Sequence, residues 1–162
     1  MTTHALTHDP HDHEHASLAR WIAVGAVSGA LAVIVFHQPV AGLLHAVGLT
    51  PRAPYSMQPT SPFGVAQLWS IVFWGALWGV ALAAALRRFA GASLIAAATI
   101  FGAILPSLVA WTVVASLKGQ PLFAGGAAAG IAVGLLVNAA WGLGTGIGLT
   151  LLGRPHGRLA AT

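Results

Sequence analysis

Between Trp21 and Gly153 only four side chains carry a permanent charge: Arg52, Arg87, Arg88 and Lys118. They divide the chain into four uncharged stretches, each long enough to cross a hydrocarbon core that needs about 20 apolar residues. The expected fold is therefore an all-α membrane protein, a compact bundle of four transmembrane helices over about 18–38, 65–86, 94–117 and 122–152. A soluble helical bundle would need charged outer faces, yet no Asp or Glu follows Glu14. Composition agrees, with 57% hydrophobic and 6% charged residues and a mean hydropathy of +0.81.

The cations read as topology signals. Arg20, Arg87, Arg88, Arg154 and Arg158 fall on one side of a four-span layout, and Arg52 and Lys118 on the other. Excess Lys and Arg mark the cytoplasmic face, so both termini are expected in the cytoplasm and the protein in the inner (plasma) membrane. Residues 1–16 form a polar tail and 154–162 a short basic one. Nothing after the polar start is punctuated like a cleaved secretory signal. The formal charge of +4 does not point to nucleic acid, because the cations stand singly or as one pair at span ends, where lipid headgroups meet them. With no cysteine, disulfides and thiolate metal sites are excluded.

Each span has legible ends. Ser17 can cap the first, with Arg20 and Trp21 suited to an interface. Pro39 is expected to bend or end that helix, leaving VAGLLHAVGL as a short helical extension at the outward surface. The segment TPRAPYSMQPTSP, residues 50–62, is a stiff connector. Ser93 is a cap for the third span and Pro106 a kink within it. Lys118 to Pro121 turn the chain into the fourth.

Small residues recur at helical spacing. Gly25 and Gly29, Gly75 and Gly79, and Gly126, Gly130 and Gly134 stand four apart, with Gly142 and Gly146 repeating the interval. Such faces let helix backbones approach closely, which suits a tight bundle or contact with a second copy or other membrane subunits. Ala98, Gly102 and Pro106 form a looser series in the third span.

Two groups carry potential chemistry. His4, His8, His11, His13 and His15, interleaved with Asp9, Asp12 and Glu14, offer imidazole and carboxylate ligands for a divalent transition metal, though their spacing fixes no tetrahedral set and a solvated tail is the plainer reading. His37, Gln38 and His45 lie where the first helix leaves the membrane, and Gln67 and Ser70 lie at the same end of the second span. These five form an expected polar cluster satisfied by interhelical hydrogen bonds. Asn138, deeper in the fourth span, is expected to join helices.

No acidic residue lies in a span, and no nucleophile with a base, phosphate-binding loop or carboxylate pair is present. The expectation is a non-enzymatic structural or accessory component of a membrane assembly. A transport component fed by the His-rich tail is the alternative, and a haem- or quinone-binding subunit using His37 and His45 is a third.

Overall fold

A computed structural model describes residues 10–153, with side chains from Ser17 onward. His4 and His8, the side chains of His11, His13 and His15, and the tail with Arg154 and Arg158 lie outside the described residues. Four helical runs are long and apolar enough to cross a membrane: Ser17–Ala46, Gln67–Ala85, Gly91–Leu117 and Ala128–Leu152. This fits a multi-pass membrane protein.

The first run begins with α1, Pro10–Ala32, so Ser17 lies inside a helix rather than at its cap. A five-residue π-turn, Val33–His37, joins α1 to α2, Gln38–Ala46. Pro39 neither ends nor interrupts this run. It sits in the first turn of α2, where a missing N–H is tolerated, and the wider turn before it takes up the mismatch. The backbone N–H of Gln38 reaches back to the Val33 carbonyl, five residues away.

Residues 47–66 fold over this end as a loop closed by a two-residue hairpin, β1 (Pro59–Thr60) against β2 (Val65–Ala66), with Pro59 opposite Ala66 and Thr60 opposite Val65. The loop then caps α3, Gln67–Ala85: the N–H groups of Gln67 and Leu68, orphaned at the helix start, donate to the carbonyls of Gln58 and Ser56.

Helix α4, Gly91–Val109, starts two residues ahead of Ser93. The Ser93 hydroxyl donates to the Ala90 carbonyl at 2.7 Å and accepts the Ala90 N–H at 3.4 Å, closing the first turn from inside it. Pro106 is carried within α4, and a second π-turn, Ala110–Val114, precedes the three-residue α5, Ala115–Leu117. In that turn the Thr112 hydroxyl donates to the Leu108 carbonyl at 2.7 Å.

The fourth helix corrects the expectation most. Leu122–Gly126 is a left-handed turn, with φ of 49° at Phe123, 54° at Ala124, 66° at Gly125 and 77° at Gly126. L-residues pay for that conformation, and only glycine adopts it freely. Helix α6 therefore starts at Ala128 and runs to Leu152, six residues later than the sequence suggests, and Gly126 is not part of it.

Helix α1 lies against both α3 and α6, and α6 lies against α4. Consecutive helices α3 and α4 meet sparingly, bridged by Trp78 and Phe101 stacked edge to face at 6.1 Å. Ala32, Val33, Leu82, Ala83, Leu94, Ala98, Trp141 and Leu149 form one buried cluster. Most large apolar side chains elsewhere, among them Val35, Phe73, Ile100 and Leu151, are exposed, as they must be if lipid is their solvent.

Candidate functional site

The polar end of the first run is built around Tyr55, a residue the sequence reading passed over. Because the Gln38 N–H is diverted to Val33 and Pro39 has no N–H, the Ile34 carbonyl loses both the four-residue and the five-residue backbone donor. The Tyr55 hydroxyl supplies the missing bond, donating to Ile34 O at 2.9 Å. The buried Gln38 side chain completes the clamp, its Oε1 accepting the Tyr55 N–H at 2.7 Å. Tyr55 pays for this with a φ of 52°, a left-handed conformation worth of order 1 kcal/mol for a non-glycine residue.

His45 is exposed, and its Nδ1 donates to the Thr50 carbonyl at 2.9 Å, tying the end of α2 to the loop. His37 has its Nδ1 enclosed without a hydrogen-bond partner among the described residues. The two histidines are separated by about 12 Å along one helical run, at 1.5 Å per residue. Among the described residues, no hydrogen bond links the side chains of Gln67 and Ser70 to His37, Gln38 or His45. Gln38 has instead been claimed by the loop that folds back over it, and Gln67 contributes its backbone N–H to the cap of α3. No group of three or more His, Asp or Glu residues that could hold a metal ion occurs among the described residues.

The second candidate surface is made of backbone. Gly25 and Gly29 on α1 face Gly79 and Gly75 on α3 in antiparallel register. A Cβ added at Gly25 would stand 2.6 Å from the Gly79 carbonyl oxygen, and one at Gly75 would stand 2.9 Å from that of Gly29. On the other side, Ala98 and Gly102 of α4 face Gly146 and Gly142 of α6, where a Cβ at Gly102 would stand 2.5 Å from the Asn138 carbonyl and 2.8 Å from the Gly142 Cα. Both contacts are of the kind that small residues four apart permit.

Gly130 and Gly134 do other work. A Cβ at Gly130 would meet Ala124 of the preceding turn at 2.8 Å, and one at Gly134 would meet the Trp111 ring at 2.9 Å. A Cβ at Gly126 would meet nothing within 4 Å, and the residue serves the left-handed turn instead.

Polar side chains pin these contacts. Asn138 donates through Nδ2 to Ser107 Oγ at 2.9 Å, and Ser107, fully buried, donates to the Gly134 carbonyl at 3.3 Å. The indole N–H of Trp21 donates to Ala83 O at 2.7 Å, and that of Trp141 to Gly29 O at 2.9 Å. The tryptophans were visible in the sequence, but nothing local to them names a carbonyl on another helix. Compared with protein-family models, with curated proteins and with solved structures, the chain matches none.

Proposed function

We propose that the four apolar helices form one compact bundle in the inner membrane, both termini cytoplasmic, and that the chain serves as a non-enzymatic structural or accessory component of a membrane assembly. The observation that carries this reading is the use of the interior. Polar side chains within it hold helices together, Ser107 with Asn138 and Trp21 and Trp141 with backbone carbonyls of other helices, while Tyr55 closes the π-turn from the loop. Lipid-exposed apolar side chains on every helix leave room for further subunits or a second copy. The orientation rests on the five-to-two division of Arg and Lys between the two sides.

Purification of the full chain in a gentle detergent, with mass, metal content and visible absorption measured on one sample, tests the reading. A colourless, metal-free oligomer or a complex with stoichiometric membrane subunits is the expected result. Stoichiometric metal that disappears when residues 1–16 are removed would replace it with metal handling by the His-rich tail, and a haem spectrum lost in His37→Ala would replace it with a redox role.

A further inference from the structure

Helix α1 begins at Pro10 and runs without interruption to Ala32, and its first turns read PHDHEHA. The residue types there favour a helix start. Pro10 loses nothing in a first turn, where an N–H would be unbonded, and Asp12 and Glu14 oppose the positive end of the helix dipole. This backbone sorts residues that the sequence leaves equivalent. His11 and His15 stand four apart on α1, so they share one face, one above the other, with Cβ positions about 5–6 Å apart. Asp12 and Glu14 flank that face on its two sides, each three residues from one of the pair. His13 falls on the opposite face, about 180° from the midpoint of the pair at roughly 100° per residue.

We infer that the start of α1 is a metal clamp, in which His11 and His15 together take one divalent transition-metal ion of the Zn²⁺ or Ni²⁺ kind and Asp12 and Glu14 add negative charge beside it. Imidazole suits ions of this borderline softness. Two histidines at four-residue spacing on a helix are the arrangement by which helical zinc sites bring a pair of imidazoles to one ion. With Arg20 among the headgroups, His15 lies about 8 Å further out along the helix, at 1.5 Å per residue, so the clamp stands in water where hydrated ions reach it. An ion held this way binds only the helical form and so stabilises the free end of the helix that continues into the first membrane run. Two protein ligands leave coordination positions to water, so the ion exchanges readily and the clamp fills from added metal rather than from metal carried through purification. The inference stands apart from the assembly role proposed above.

The test is calorimetric titration of Zn²⁺ into the chelator-washed full chain in lipid nanodiscs, against empty nanodiscs. One ion per chain is expected. Binding should weaken about tenfold or more in His11→Ala and in His15→Ala, since loss of an outer-shell partner alone costs roughly 10- to 100-fold. It should stay parent-like in His13→Ala and in the double variant His4→Ala/His8→Ala. Added Zn²⁺ should also slow amide hydrogen exchange over residues 10–16 in the parent and in His13→Ala, and leave it unchanged in His15→Ala. Binding no greater than to empty nanodiscs overturns the inference. So does a loss in His13→Ala as large as that in His15→Ala, the behaviour of a tail that gathers ions through any of its histidines, and so does exchange in the parent that Zn²⁺ fails to slow.

Discussion

The α1–α3 and α4–α6 seams solve one problem in two ways. Both are antiparallel and both close on small residues four apart. The first has glycine at all four positions, Gly25, Gly29, Gly75 and Gly79, whereas the second admits one methyl, that of Ala98 against Gly146. The first has no side chain-to-side chain hydrogen bond among the described residues and is pinned by indoles that donate to main-chain carbonyls, one of them from α6. The second carries its own polar pair, Ser107 and Asn138. A glycine seam of pure shape can slide, since each carbonyl offers much the same surface as the next. A seam with a buried amide and hydroxyl has one register in which both are satisfied.

The largest effect that would break this comparison is a methyl placed in either seam. Gly79→Ala drives a Cβ into the Gly25 carbonyl and Gly142→Ala into that of Ala98, so each should cost about 3 kcal/mol, at the upper end of overpacking penalties. The midpoint of reversible unfolding in mixed detergent micelles measures it, and parent-like stability in either variant would mean that the seam is open. Next comes Trp141→Phe, which keeps the ring but removes the donor to Gly29 O, at about 1 kcal/mol. Its effect should reach the first seam although the residue belongs to α6. Faster amide hydrogen exchange along α3 would report it.

A double-mutant cycle with Ser107→Ala and Asn138→Ala should give a coupling of about 0.6 kcal/mol, the average for interhelical hydrogen bonds in membranes. No coupling would reduce the second seam to shape alone, like the first. The smallest effect is expected of Tyr55→Phe, about 0.5 kcal/mol for a hydrogen bond at a wet surface. It should show less in global stability than in faster protease cleavage of the loop 50–62.

The four long apolar helices were legible because charge is so costly in hydrocarbon that its absence over about 20 residues has few other meanings. Their ends were less so. The start of α6 was hidden because Phe123 and Ala124 look like good helix residues, and nothing in their types announces φ near +50°. The continuation through Pro39 was hidden because a π-turn leaves no mark on hydrophobic periodicity. At the polar end the residue types are legible, but nothing in them names the loop as the partner of Gln38. Tyr55, 17 residues beyond Gln38, supplies both the N–H that Gln38 accepts and a hydroxyl long enough to reach the carbonyl orphaned by proline. Spacing of four located the glycines that approach other helices, yet it could not tell Gly134, which accommodates an indole, from Gly142, which accommodates a backbone.

The bond from Tyr55 to Ile34 also bears on how the chain is made. Ile34 leaves the ribosome 21 residues before the tyrosine that satisfies it, an interval of about 1 to 4 s at ordinary synthesis rates. During that time the first helix exists with a naked carbonyl. The carbonyl lies inside the Ser17–Ala46 run and not at its end, so it stays unsatisfied until the loop arrives. Had proline stood a few turns earlier, the nascent helix would have carried that debt through the bilayer with nothing to discharge it.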